Sequence, residues 1–261
     1  MTLTKTAVVT GGASGIGEAS VMRFARAGWN IVIGDINERG GETAAEAARE
    51  AGAASASVLP LDLGEEASVT AFTTGAYEQH ARVDAVVNSG GILQNGIRFT
   101  DMPVEEFDTV WRINVRGTLL INQAFGRRMM AAGSGSIINM CSLTTYRASP
   151  QPAYAPAKVA LKSMTETMAA DFGPSGVRVN AVAPGYTRTP AMQARIDAGV
   201  RDPQAILDKS AIKRLVEPTD VAEAVFFLCS DAASAITGVV LPVDCGWLAT
   251  SAYTSYASQP E

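Results

Sequence analysis

Seven short runs of β-branched and aliphatic residues recur along the chain: TAVVTG, NIVIGD, SVLPLD, VDAVVNSG, GSIINMCS, VRVNAVAPG and GVVLPVD. They are almost continuously apolar, as strands covered on both faces must be, whereas strands wet on one face alternate. Between them lie helical patterns: GEASVMRFARAG, GGETAAEAAREAG, EASVTAFTTGAYEQH, the stretch from PVEEFDTVWRINV to NQAFGRRMMAAG, a helix containing YAPAK, and TDVAEAVFFLCSD. Strand and helix in regular alternation restrict the chain to an α/β fold, a doubly wound parallel sheet of about seven strands with helices on both faces.

No Pro/Gly/Ser-rich linker interrupts the alternation, and 261 residues suffice for one large core, so residues 1–261 are read as a single domain. Segment 190–215, PAMQARIDAGVRDPQAILDKSAIKR and its flanks, is longer than a usual connection and is expected to be a lid over a substrate site. The tail 248–261 lies beyond the last strand, and is expected to be mobile or packed on a neighbour. The 21 basic and 26 acidic residues give a net charge of −5, which offers no electrostatic reason for nucleic acid or an anionic membrane as partner. No apolar run approaches the ~18 residues of a membrane span. MTLTKTAVVTG runs straight into a strand pattern without a signal peptide, so a soluble, cytoplasmic protein is expected. Cys141, Cys229 and Cys245 are odd in number and lack metal-ligand spacing, which suits free thiols. No metal site is expected. His80, the only histidine, is taken to exclude both a histidine-rich metal site and a Ser-His-Asp triad.

TGGASGIG, residues 10–17, follows the first strand and opens the first helix. Gly11, Gly15 and Gly17 suit a tight turn, close backbone approach and close helix packing, and the N–H groups around Ser14 and Ile16 can meet a pyrophosphate. Asp35 closes the second strand 18 residues after Gly17, where an acid would accept from an adenosine ribose. With Ile36 beside it and no Arg or Lys directly following, that carboxylate would repel a 2′-phosphate. The expected cofactor is NAD. Asp62 closes the third run with Leu63 next to it, where they would meet the adenine, and Asn88 to Gly91 end the fourth, where Gly90 would let a ribose pass.

In YAPAK, residues 154–158, a spacing of four puts Tyr154 and Lys158 on one helix face, while Pro156 fits only a first turn, so the helix is expected to begin near residues 152–154. Tyrosine has a pKa of about 10, a handicap of ~4 kcal/mol as a base at neutral pH. A nearby ammonium favours the phenolate, so Lys158 is expected to lower the Tyr154 pKa.

Taken together, TGGASGIG, Asp35, Asn114 in WRINVRG, Ser142 ending GSIINMCS, YAPAK, PGYTRTP and the ending LPVDCGW resemble the short-chain dehydrogenase/reductase family over about residues 6–247. The resemblance implies a Rossmann-like fold and an NAD-dependent oxidoreductase acting on CH–OH groups. It implies that Tyr154 exchanges the hydroxyl proton, that Lys158 also holds the nicotinamide ribose, and that Ser142 bonds the substrate oxygen. It further implies that Asn114 holds a relay water, and that Pro184, the Thr187 backbone and the Thr189 hydroxyl fix the nicotinamide amide. Here NSGG stands where the family often has N-N-A-G. The Ser-to-Tyr spacing is 12 rather than the usual 13, which leaves Ser142 or Thr144 as the group reaching the substrate oxygen. The family usually forms homotetramers through its last helices and final strand.

The substrate pocket is expected to draw on Gln94, Asn95, Thr144, Arg147, Gln151, Tyr186 and either Arg188 or Arg195. Such a lining suits a sugar, polyol or acid-bearing hydroxy compound, with an apolar alcohol or ketone as the alternative. A non-catalytic NAD-binding sensor is a second class on the same fold, and a transient-NAD epimerase or dehydratase a third.

Overall fold

The computed structural model describes residues 4–253. Seven parallel strands, β1 Thr6–Thr10, β2 Asn30–Asp35, β3 Ser55–Pro60, β4 Ala85–Asn88, β5 Gly135–Met140, β6 Val177–Pro184 and β7 Val240–Val243, lie in the order β3-β2-β1-β4-β5-β6-β7. The intervening helices are α1 Gly15–Ala25, α2 Glu38–Glu50, α3 Glu66–Gln79, α4 Val104–Trp111, α5 Thr118–Ala132 and α6 Tyr154–Phe172. Beyond β6 come α7 Pro190–Asp197, α8 Pro203–Asp208 and α9 Pro218–Cys229, and α10 Trp247–Tyr253 follows β7.

The apolar runs become strands because each successive side chain enters a different layer. Ala7 and Val9 of β1 join one cluster with Val21 and Phe24 of α1 and Val225 and Leu228 of α9. Val8 points the other way, into Phe72 of α3, Phe125 of α5 and Phe172 of α6. Ile31, Val32 and Ile33 of β2 repeat this division. A doubly wound Rossmann-type sheet results, with α1, α2 and α9 on one face and α3, α5 and α6 on the other.

Two segments carry more structure than the sequence indicates. Residues 190–215 contain two short helices, α7 and α8, and the expected tail begins as α10; its remainder, 254–261, lies outside the described residues. Asp244 builds the entry to α10, accepting from the N–H groups of Gly246 and Leu248 at 2.9 and 2.8 Å.

Candidate active site

A cavity of about 630 Å³ runs along the carboxyl ends of the strands, across the reversal of strand order between β1 and β4. The connections leaving β1 and β4 go to opposite faces there, and a crevice is left between them. Gly11, Ser14, Gly15 and Ile16 form one stretch of its wall, joined by Asp35 and Ile36 after β2, Asp62 and Leu63 after β3, and Gly90 after β4. Pro184, Thr187 and Thr189 line it beyond β6, and Tyr154 and Lys158 line it from α6.

The glycine turn is tight for a steric reason. Gly11 has φ +67°, and a Cβ there would stand 2.6 Å from the Gly90 Cα. Gly17 lies beneath the wall rather than on it, and a Cβ on it would strike the Gly11 carbonyl. The Asp35 carboxylate accepts from the N–H groups of Ala13 and Asn37 at 3.0 and 2.9 Å, so it is tied to the turn itself. A glycine-rich cradle against a helix start, with a fixed carboxylate at the next strand end, fits a dinucleotide.

Tyr154 begins α6, as Pro156 requires. The Ser142 side chain lies beside its phenol, and burial pushes the phenol's pKa up to about 12 against the opposing pulls of Ser142 and Arg195. Lys158, 5 % exposed, donates from Nζ to the Met140 carbonyl at 2.7 Å, with Nζ 5.3 Å from the Tyr154 ring centroid. Burial lowers its pKa to about 8. The expected lowering of the Tyr154 pKa by Lys158 is therefore not what this arrangement gives: desolvation disfavours the charged form of both groups and is the largest cause of each shift. Ser142, not Thr144, is the hydroxyl that meets Tyr154, while the buried Thr144 Oγ1 has no hydrogen-bond partner.

Three sequence-based placements are corrected. Gln94 is 1 % exposed and off the cavity wall; its Oε1 accepts from the N–H groups of Ala153 and Tyr154 at 3.0 and 3.1 Å, and its Nε2 donates to Glu106 at 3.2 Å. It caps α6, because donors at a helix start need an acceptor. Asn88 is buried below the wall and donates to the side-chain carbonyls of Asn122 and Asn139 at 2.7 and 3.0 Å. Arg188 pairs with Glu217 at 3.1 Å, away from the cavity.

Asn114 sits in a single π-helical stretch, Arg112–Gly117, between α4 and α5. Both ends of its amide are engaged by Ile92, donating to the carbonyl at 2.9 Å and accepting from the N–H at 2.8 Å, so its side chain fixes the wall residue Ile92. Arg147, Gln151 and Tyr186 line the cavity, with Gln151 Nε2 donating to the Gln94 carbonyl at 2.6 Å. Met192, Arg201 and Trp247 line it too and were missed from sequence. Trp247 had a usable signal, since a residue just past β7 must fall at the carboxyl rim. One histidine would have sufficed for a triad. What removes that chemistry is position: His80 ends α3, before β4 and away from the cavity wall. Among the described residues no cluster of His, Cys, Asp and Glu could hold a metal, and no helix is long and apolar enough to cross a membrane.

A family model described as enoyl-(acyl carrier protein) reductase, one of the short-chain dehydrogenase/reductase models, matches residues 11–248. The chain belongs to the short-chain dehydrogenase/reductase family. It is 39 % identical to cis-4-hydroxycyclohexanecarboxylate dehydrogenase of Sinomonas cyclohexanicum, over 94 % of this chain and 97 % of that one. A solved structure from Brucella melitensis 16M, titled ribose-5-phosphate isomerase, superposes with TM-score 0.91 and 39 % identity, covering 99 % and 98 %. An NAD+-bound xylitol dehydrogenase gives TM-score 0.86 and 29 % identity over 92 % and 97 %, and an NADP-bound ElxO gives 0.88 and 27 % over 95 % and 100 %. Relatives of this chain thus include named oxidoreductases acting on hydroxyl groups, and both nicotinamide cofactors occur among its structural neighbours.

Proposed function

We propose that the protein is an NAD-dependent oxidoreductase that transfers a hydride between a secondary hydroxyl or ketone and the nicotinamide, acting on a sugar, polyol or other polar hydroxy compound. The observation that carries this is the gathering of Ser142, Tyr154 and buried Lys158 on the wall of the cavity that holds the glycine cradle. The bound cofactor supplies the hydride acceptor or donor. In the oxidative direction the alcohol C–H electrons leave as hydride, the hydroxyl proton passes to the Tyr154 oxygen, and the carbon–oxygen bond becomes a carbonyl.

Ser142 Oγ holds the substrate oxygen against Tyr154. A phenol pushed up to about 12 is a ready donor for ketone reduction, and in oxidation Ser142 and Lys158 must stabilise its anion. Gly11, Ser14, Gly15 and Ile16 would cradle the pyrophosphate, Asp35 the adenosine ribose, Asp62 and Leu63 the adenine, and Pro184, Thr187 and Thr189 the nicotinamide amide, with Asn114 and Asn88 bracing the wall from behind. The Asp35 carboxylate, held by the Ala13 and Asn37 N–H groups, supports NAD in this reading because it would repel a 2′-phosphate on the adenosine ribose. Segment 190–215 acts as the lid, contributing Met192, Arg195 and Arg201. A cytoplasmic homotetramer is the assembly and setting that fits this reading, with exposed Val159 of α6 and Phe227 of α9 as contacts.

Absorbance at 340 nm during turnover of polyols, sugars and hydroxy acids, run separately with NAD and NADP beside Tyr154→Phe, tests the reading. NAD-linked turnover that vanishes in Tyr154→Phe while NADH still binds is expected. Preference for NADP would sink the reading of Asp35, and turnover surviving in Tyr154→Phe would sink the mechanism.

A further inference from the structure

Charge is distributed unevenly along the cavity. The carboxylates on its wall are Asp35 and Asp62, both at the β2 and β3 side of the sheet. On the β5 to β7 side, around Tyr154, the wall carries Arg147, Arg195 and Arg201 as well as Lys158, and no acid among the described residues. The arginines are set in place by specific contacts. Arg195 donates from Nη2 to Asn95 Oδ1 at 2.9 Å, and its carbonyl accepts from the N–H groups of Val200 and Arg201 at 2.9 and 3.1 Å. That fold-back after α7 brings residue 201 to the same wall. The Arg147 guanidinium lies 5.6 Å from the Trp247 ring centroid.

One of these groups is left unsatisfied. Arg201 Nε is buried and has no hydrogen-bond partner, as is true of Thr144 Oγ1 and Trp247 Nε1 on the same wall. A buried guanidinium N–H without an acceptor is costly, and its fork of donors matches a planar carboxylate. Leu93, Leu143 and Met192 line the same cavity. Guanidinium groups, an apolar lining and hydroxyl chemistry in one cavity describe a bifunctional ligand.

We propose that Arg201 and Arg195 form a carboxylate subsite, so that the substrate is a hydroxy acid, or the matching keto acid, with an apolar body. This rests on the oxidoreductase reading above and narrows its substrate class. The arginines act by binding and orientation and take no part in proton or hydride transfer.

The test separates the two ideas by measuring binding without turnover. Cyclohexanecarboxylate, which has no hydroxyl to oxidise, and neutral cyclohexanecarboxamide are titrated calorimetrically into the full-length protein with and without NADH. The carboxylate should bind roughly 10- to 100-fold more tightly, the range of one or two charge-assisted hydrogen bonds. Arg201→Met and Arg195→Met should each reduce that preference, the double variant should bring it within about threefold, and Arg201→Lys should restore part of it. NADH affinity reports that each variant is folded. Equal binding of the two probes, no binding of either, or a preference surviving in the double variant would overturn the subsite even if neutral polyols are oxidised. An intact carboxylate preference in a protein that turns over no alcohol with either cofactor would instead overturn the oxidoreductase reading and leave the subsite standing.

Discussion

Replacing Lys158 by methionine should abolish activity and make the protein more stable. The ammonium is almost fully buried, and its pKa falls from the ordinary 10.5 to about 8. Each pKa unit is worth ~1.4 kcal/mol, so holding the charged form in the folded protein costs about 3 kcal/mol at neutral pH. Methionine removes that cost at nearly constant volume and forfeits the hydrogen bond to the Met140 carbonyl, worth about 1 kcal/mol. The net expectation is a gain of about 2 kcal/mol. The sign of its pH dependence follows from the lowered pKa. Below about 8 the amine is protonated in both states and the penalty is complete; between about 8 and 10.5 the unfolded chain binds more protons than the folded one, so wild-type stability rises with pH there. The advantage of Lys158→Met should shrink by about 2 kcal/mol between pH ~7 and pH ~9.5. Urea unfolding followed by circular dichroism at the two pH values measures both quantities. A variant no more stable than wild type at neutral pH, or a gap that does not change with pH, would refute the claim that desolvation dominates this lysine.

Gly11→Ala places a Cβ against the Gly90 backbone at positive φ, and should cost about 2 kcal/mol or more and suppress NADH fluorescence enhancement. Gly90→Ala, the residue the family pattern more often has, meets the flexible end of Leu63 at 2.7 Å and the Gly11 N and Thr10 Oγ1 only at 3.3 Å, and should cost less than about 1.5 kcal/mol; equal losses would refute the distinction. Gln94→Ala leaves the Ala153 and Tyr154 N–H groups without their acceptor and should lower stability by about 2 kcal/mol in thermal melts. A Gln94→Ala protein with unchanged Tm would show that the cap contributes nothing.

The sequence by itself determined the layers and brought forward the candidate groups that sit on single elements. Continuous apolar runs specified buried parallel strands, the glycine turn was legible because Gly11 and Gly17 have no room for a Cβ, and Pro156 dated the start of α6. Ser142, Tyr154 and Lys158 were legible because their spacing is local to β5 and α6. Gln94 looked like a substrate contact, yet it caps α6 from 60 residues away, and no local pattern reveals where a side chain finds its partner. The direction of the Tyr154 pKa was misread for a related reason: the charge of Lys158 is written in the chain, but the burial that outweighs it belongs to the assembled core. The arginines of the cavity are the same case. Sequence named Arg147 and Arg195 beside Arg188, but only packing showed that Arg188 pairs with Glu217 whereas Arg201, unnoticed, has a buried Nε without a partner. Backbone conformation and hydrophobic periodicity are set by near neighbours in the chain, whereas burial, electrostatics and pocket shape depend on groups brought together from distant segments, and those only the tertiary structure decides.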